Sequence, residues 1–276
     1  MSHTFYIVDV FAEEKYAGNQ LAVVLEAGDL SSGEMQRVAS EMNYSETSFV
    51  LSTKRDAHRV RIFTPREELP FAGHPTLGTA YVIRHEAPEE PAGRLVLEVP
   101  AGRIPVDFGE VLWMHQLPPA FGGEHDRQET ARSLGLKERD LDPELPVETV
   151  STGIPVVIVP LRDLDALRRC RPLGVREKSV YAFCPGSHGD GPGDLSARMF
   201  AGGIGVTEDP ATGSAAGCLA SYLVEHRGGP VDLRVEQGYE IGRPSLLHLR
   251  AGRDEAGTMR VSVGGRVQLV ARGELL

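Results

Sequence analysis

A repeated motif constrains this chain more than any other feature of its sequence. Residues 68–74 read ELPFAGH and residues 208–214 read EDPATGS, so both contain Glu-x-Pro-x-x-Gly followed by a residue that can hydrogen-bond. An Arg-x-Phe run precedes each motif, at residues 61–63 and 198–200, and small residues typical of a closely packed helix follow it. The two motif glycines lie 213 − 73 = 140 positions apart, about half of the 276-residue chain. An ordered repeat of this kind predicts two similar domains related by a pseudo-twofold axis.

A proline- and glycine-rich stretch, Pro118 to Gly123, marks the expected boundary between the two halves. We therefore assign residues 1–118 to an N-terminal half-domain and residues 119–276 to a C-terminal half-domain, and we allow the C-terminal segment to return to the first half. The order of elements is similar in both halves. Helices are expected over residues 29–43 and 163–170, each between two apolar, β-branched strands.

Charge and composition narrow the classes of function. The net charge is −10, from 29 basic and 39 acidic residues. Such a surface would repel nucleic acid and anionic membranes, so the expected partner is a small anionic metabolite held in a local positive pocket. The first residues lack a basic run followed by a long apolar stretch, which predicts no signal peptide and a cytoplasmic protein. An odd number of widely spaced cysteines fits reduced thiols, namely Cys170, Cys184 and Cys218.

The two motif glycines, Gly73 and Gly213, each open a helix-like segment. A helix N-terminus presents unsatisfied N–H donors and a partial positive charge, so it can bind an anion. Two such ends pointing at one cleft would hold a carboxylate between the domains. Two ordinary capped helices are the alternative interpretation, and the duplication favours the binding site.

Four polar residues are candidates for the chemistry. Glu46 lies where a helix gives way to a strand, a position that also suits a solvated loop residue. His74 directly follows Gly73, whereas Asp209 and Ser214 could either cap a helix or face substrate. The chain has no paired histidine spacing, no CxxC and no nucleotide-binding glycine loop, so we expect no metal and no cofactor. Carboxylates, one histidine, one serine and two helix ends suit cofactor-free proton transfer.

Several runs resemble the PhzF phenazine-biosynthesis family, whose fold is that of diaminopimelate epimerase. They span nearly the whole chain and are GNQLAVV at 18–24, SETSFV at 45–50, FTPREELPFAGHPTLG at 63–78, EDPATGSAAG at 208–217 and QGYEIGRPS at 237–245. The resemblance implies an α+β fold of two similar domains. Each would be a curved, mostly antiparallel, barrel-like sheet around a central helix, with the active site between the domains.

The resemblance also implies roles for individual residues. Glu46 matches the glutamate that moves a proton between carbons of trans-2,3-dihydro-3-hydroxyanthranilate, and His74 and Asp209 match catalytic polar residues beside it. The implied substrate-binding positions are Asn19, Ser45, Gly73, Gly213 and Ser214. Epimerases of this fold use two cysteines, and none of the three cysteines here falls at the corresponding positions. The resemblance further implies a homodimer.

The predicted function is therefore a cofactor-independent isomerase of the dihydrohydroxyanthranilate type. One alternative is an epimerase or isomerase acting on another small amino or hydroxy acid through the same Glu46. A second alternative is a non-catalytic protein that binds a small molecule. A protein that only binds its ligand would need the anion site but no carboxylate positioned as a base. The presence of Glu46, His74, Asp209 and Ser214 together therefore favours an enzyme. The glycine-rich run Gly186 to Asp194 is expected to be a mobile surface loop.

Overall fold

The computed structural model describes residues 2–53, 57–88, 93–173, 179–201 and 206–276. The chain divides into two compact units, of which unit 1 comprises Met1–His115 with Gly264–Leu276 and unit 2 comprises Gln116–Val263. The boundary predicted after residue 118 thus lies just beyond the observed one. The segment from Gly264 onward belongs to unit 1, a return that the prediction allowed, because its strand pairs with the first strand of the chain.

Unit 1 combines a mixed sheet with two α-helices. Its helices are α1 (Ser32–Met42) and α2 (Gly73–Glu86), and a 3-10 turn covers Ala27–Asp29. Its strands are β1 (His3–Val10), β2 (Asn19–Val24), β3 (Glu46–Thr53), β4 (His58–Phe63), β5 (Glu68–Leu69), β6 (Arg94–Val99), β7 (Gly102–Asp107), β8 (Leu112–His115) and β18 (Val267–Leu275). Most neighbours are antiparallel, but β2 pairs with β3 and β4 pairs with β6 in parallel.

Unit 2 has the same kind of architecture with three α-helices. These are α3 (Arg127–Ser133), α4 (Leu164–Arg169) and α5 (Gly213–Arg227). Its strands are β9 (Ala120–Glu124), β10 (Glu148–Ser151), β11 (Pro155–Pro160), β12 (Val180–Pro185), β13 (Leu195–Ala201), β14 (Val206–Asp209), β15 (Val231–Gln237), β16 (Ser245–Arg253) and β17 (Met259–Gly265). Here β11 pairs with β12 and β13 pairs with β15 in parallel.

The order of pairings is the same in the two units, which confirms the repeat. In unit 1, α1 joins the parallel pair β2 and β3, and α2 lies between the parallel strands β4 and β6. In unit 2, α4 joins β11 and β12, and α5 lies between β13 and β15. Each parallel connection therefore uses a helix as its crossover, as parallel strands require.

The repeated Arg and Glu residues form equivalent ion pairs. In unit 1 the guanidinium of Arg61 holds the carboxylate of Glu68 through two hydrogen bonds and lies 5.0 Å from the Phe63 ring centre. In unit 2, Arg198 holds Glu208 through hydrogen bonds of 2.8 and 2.7 Å and lies 4.9 Å from the Phe200 ring centre. The repeat thus duplicates a bidentate pair that ties one strand to the short strand before each central helix.

The helices α2 and α5 are the central helices of their units. Every residue from Gly213 to Val224 is buried, and so are Gly73 to Ala80. A helix buried on all sides has no solvent-exposed face, which explains why neither buried run contains Asp, Glu, Lys or Arg. At Gly78 an added Cβ would lie 2.6 Å from a Leu21 methyl and 2.9 Å from a Val10 methyl. The predicted close packing of these helices is therefore present.

Side-chain caps set the ends of the two shorter crossover helices. The helix predicted over residues 29–43 begins at Ser32, because Ser31 and Glu34 form a capping box. It ends at Met42, since Asn43 adopts a left-handed conformation. The helix predicted over residues 163–170 begins after Asp163, whose side chain accepts a hydrogen bond from Ala166 N at 2.8 Å.

The glycine-rich run from Gly186 to Asp194 lies at the surface, as expected, and it also covers a buried side chain. Glu236 on β15 is fully buried, and its carboxylate accepts hydrogen bonds from the backbone N–H of His188 at 2.7 Å and of Gly193 at 3.0 Å. An added Cβ at Gly191 or Gly193 would collide with that carboxylate. The glycines therefore let the loop backbone close around the buried Glu236 side chain.

Candidate functional site

Three of the predicted residues meet in unit 1. Asn19 begins β2, Glu46 begins β3, and His74 is the second residue of α2. The parallel pairing of β2 with β3, together with the start of α2, brings the three side chains together. The Asn19 amide nitrogen lies 3.2 Å from His74 Nδ1, and His74 Nε2 lies 3.4 Å from Glu46 Oε2. The last distance is a close approach between two buried groups whose geometry does not form a hydrogen bond.

Burial keeps the imidazole of His74 neutral. The ring is 3 % exposed, and desolvation lowers its pKa to about 3, although the backbone of Gln20 acts in the opposite direction. If Nδ1 accepts a hydrogen bond from the Asn19 amide, Nε2 carries the proton and points toward Glu46. The ring therefore approaches Glu46 as an uncharged neighbour.

Two further predicted residues stand next to this cluster in the chain. Ser45 immediately precedes β3, and Gly73 is the buried first residue of α2. The residue at the N-cap of α2 is Ala72, which has no side chain able to cap the helix. The amides of the first turn are therefore not covered by a capping side chain, the condition that an anion site at a helix end requires.

The remaining predicted residues lie in unit 2. Asp209 ends β14 and is buried, while Gly213 and Ser214 are the first two residues of α5. The N-cap of α5 is Thr212, but its hydroxyl donates to Asp209 Oδ2 at 2.5 Å instead of capping the helix. Neither Asp209 nor Ser214 is the N-cap residue of α5. Ser214 occupies the place in α5 that His74 occupies in α2.

Sequence reasoning missed two residues of unit 2. Gln237 ends β15, is fully buried, and contacts both Asp209 and Thr212. Gln116 donates to the backbone carbonyl of Gly213 at 2.8 Å. Gln237 lies in the run QGYEIGRPS that supports the resemblance, but nothing in its spacing predicts which loop it would contact.

The thiols are arranged as packing residues. Cys170, Cys184 and Cys218 are fully buried, and burial raises their pKa values to about 12, about 12 and about 11. A nucleophilic or basic cysteine requires the thiolate form, which these environments disfavour.

Of the α-helices in the described ranges, none has the length and apolar content needed to cross a bilayer.

The duplicated α+β units place the chain in the epimerase-like class of folds. A hydroxyproline epimerase from Agrobacterium vitis superposes with a TM-score of 0.65 at 10 % identity, covering 99 % of this chain and 92 % of that chain. The likeness at this identity concerns the fold alone, and it confirms the predicted fold class. A PhzF-family phenazine biosynthesis protein from Bacillus anthracis superposes with a TM-score of 0.91 at 31 % identity, covering 100 % and 99 % of the two chains.

The sequence pattern of the PhzC-PhzF family, described as phenazine biosynthesis-like protein, matches residues 8–273, and the chain belongs to this family. It is 38 % identical to a trans-2,3-dihydro-3-hydroxyanthranilate isomerase from Pseudomonas aeruginosa, over 98 % of each chain. It is 36 % identical to an uncharacterized isomerase from Mesorhizobium japonicum, over 99 % of each chain. These relationships confirm the predicted family and the prediction of an isomerase at the level of enzyme class.

Proposed function

We propose that this enzyme moves a proton between carbons of trans-2,3-dihydro-3-hydroxyanthranilate or a similar small cyclic amino acid, with Glu46 as the acid and base. The observation that carries the proposal is the position of Glu46. Its side chain is 13 % exposed, and the neutral ring of His74 lies 3.4 Å from it. A glutamate side chain in this position can accept a proton from carbon and return one to another carbon.

The start of α2 is proposed to bind the substrate carboxylate, and the start of α5 is a second candidate for the same role. Gly73 and Gly213 begin these helices, and neither N-cap residue provides a side-chain hydrogen bond. In unit 1, His74, Asn19 and Ser45 would support the site around Glu46. In unit 2, Asp209 and Ser214 are the residues proposed to contact substrate.

The alternative substrate class is another small amino or hydroxy acid. The near-equal identities to a dihydrohydroxyanthranilate isomerase and to an isomerase without a named substrate favour testing both. A two-thiol epimerase mechanism is not supported, because all three cysteines are buried and burial raises the pKa of each.

The experiment is incubation with dihydrohydroxyanthranilate in deuterated water, followed by mass spectrometry of the product. Isomerisation with deuterium incorporation is expected, and Glu46→Gln should lower kcat by at least about 10²-fold while substrate still binds. Glu41→Gln, at an exposed position on α1, is the matched control and should retain activity. No deuterium incorporation with this substrate, together with incorporation into another amino acid from a panel, would favour the alternative. Full activity of Glu46→Gln would remove Glu46 from the mechanism.

A further inference from the structure

A buried glutamine amide organises the loop before α5. Gln237 Oε1 accepts hydrogen bonds from Thr212 N at 3.3 Å and from the Tyr181 hydroxyl at 3.0 Å. Its Nε2 donates to the Asp209 carbonyl oxygen at 2.8 Å and to Thr212 Oγ1 at 3.2 Å. A backbone N–H can only donate and a backbone carbonyl can only accept, so these two partners fix which way the amide faces.

The fixed amide determines the direction of the Thr212 hydroxyl. Because Thr212 Oγ1 accepts a hydrogen bond from Gln237, its own proton is available for Asp209 Oδ2, which lies 2.5 Å away. The three groups therefore form a chain from amide to hydroxyl to carboxylate, in which each donor points the same way. Hydrogen bonds in such a chain strengthen one another.

The backbone beside Gln237 is shaped for the same loop. Gly238 has a φ of +80°, and an added Cβ would lie 2.6 Å from the Pro210 carbonyl oxygen and 2.3 Å from that of Arg243. Only glycine fits this approach without strain. Gln237 therefore holds the segment from Asp209 to Thr212 through its side chain, and Gly238 lets the backbone pass close to that segment.

This arrangement is specific to unit 2. The N-cap of α2 in unit 1 is Ala72, at the place that Thr212 occupies in unit 2, and alanine has no hydroxyl to continue such a chain. The repeat duplicated the helix start but not the hydrogen-bond chain behind it.

We propose that Gln237 is a positioning residue that acts through the Thr212 hydroxyl to hold Asp209 in the orientation needed for the reaction. The proposal rests on the proposed function, in which Asp209 contacts the substrate. Gln237 itself touches the loop and not the reacting atoms. Its loss should therefore lower kcat more than it raises KM, because a misplaced catalytic group costs rate even when substrate still binds.

The test is a double-mutant cycle in the full-length protein with Gln237→Met and Thr212→Val. Each single variant should lower kcat by about 10- to 100-fold, and the double variant should be no slower than the slower single variant, because both break one chain. Thr212→Ser keeps the hydroxyl and should stay within about twofold of the native rate. Tyr222→Phe removes one buried hydrogen bond to the Pro146 carbonyl, outside this chain, and controls for destabilisation alone.

A second measurement needs no substrate. The ¹³C signal of the Asp209 carboxyl group in labelled protein should move in both Gln237→Met and Thr212→Val and stay near its native position in Thr212→Ser and Tyr222→Phe. If Gln237→Met does not fold, the contrast between Thr212→Val and Thr212→Ser carries the test.

The proposal would be overturned if the loss of kcat in the double variant equalled the product of the two single losses. It would also be overturned if the ¹³C signal of Asp209 stayed at its native position in both Gln237→Met and Thr212→Val. A native protein without isomerase activity whose Asp209 signal still responds would refute the proposed function and leave the hydrogen-bond chain intact. Normal isomerase activity in both single variants would refute the positioning role and leave the proposed function standing.

Discussion

The neutral imidazole of His74 makes a prediction about stability and pH. His74→Gln replaces the ring with an uncharged side chain that cannot bind a proton in either the folded or the unfolded chain. In the native protein burial lowers the pKa of the ring from 6.5 to about 3. In the unfolded chain the ring is solvated and binds a proton below about pH 6.5.

The sign and size of the effect follow from these two values. Between about pH 6.5 and pH 3 the unfolded chain binds one more proton at this residue than the native chain, so His74 lowers the free energy of unfolding as the pH falls. The slope is about 1.36 kcal/mol per pH unit, and the full difference of about 3.5 in pKa corresponds to at most about 5 kcal/mol. At pH 4.5, about two units below the unfolded value, the contribution is about 3 kcal/mol.

The assay is urea unfolding of native protein and His74→Gln at several pH values from 4.5 to 7.5. The single tryptophan, Trp113, lies on β8 in the same unit and reports unfolding by fluorescence. The native protein should lose about 3 kcal/mol more than the variant between pH 7.5 and pH 4.5. His85→Gln, an exposed position at the end of α2, is the matched control and should keep the native slope. Parallel pH profiles for native protein and His74→Gln would refute the reasoning.

Two further predictions use pairs of matched positions. Arg198→Met should lower the free energy of unfolding by about 3–5 kcal/mol in urea titrations. The substitution leaves the Glu208 carboxylate, whose side chain is only 10 % exposed, without its arginine partner. Arg61→Met should cost about 1 kcal/mol or less, because its partner is 32 % exposed, and equal losses would contradict this. Gly238→Ala should lower stability by about 2 kcal/mol or more. Gly242→Ala, with a φ of +72° but no atom within 4 Å of the added Cβ, should cost about 1 kcal/mol, so a smaller loss at Gly238 would argue against the close approach.

The scaffold could be predicted from the sequence because the signals for it are local and duplicated. The Arg-x-Phe and Glu-x-Pro-x-x-Gly runs lie within a few residues of each other, and the structure joins Arg61 to Glu68 and Arg198 to Glu208. The polar residues that meet in unit 1 could be identified from sequence motifs. The contact of Asn19 with His74, however, depends on the parallel pairing of β2 with β3.

What the sequence could not provide depends on contacts between distant residues. Gln237 reaches Thr212 because β15 lies parallel to β13, and no pattern in the run QGY indicates that pairing. The low pKa of His74 depends on how completely α2 is enclosed, which periodicity does not measure. The buried Glu236 beneath the glycine-rich loop was missed for the same reason, since its partners lie more than 40 positions away.

The pairing of β1 with β18 has a consequence for the order in which the chain can fold during synthesis. β1 pairs along its whole length with a strand that the ribosome makes only after all of unit 2, 267 − 10 = 257 residues later. At about 5–20 residues per second, that is roughly 13–50 s during which one edge of β1 has no partner strand from β18. Unit 2 is continuous and can fold as soon as it emerges, so the first unit to be made is the last to be completed. Until then its open strand edge is the part of the nascent protein most exposed to chaperones and to aggregation.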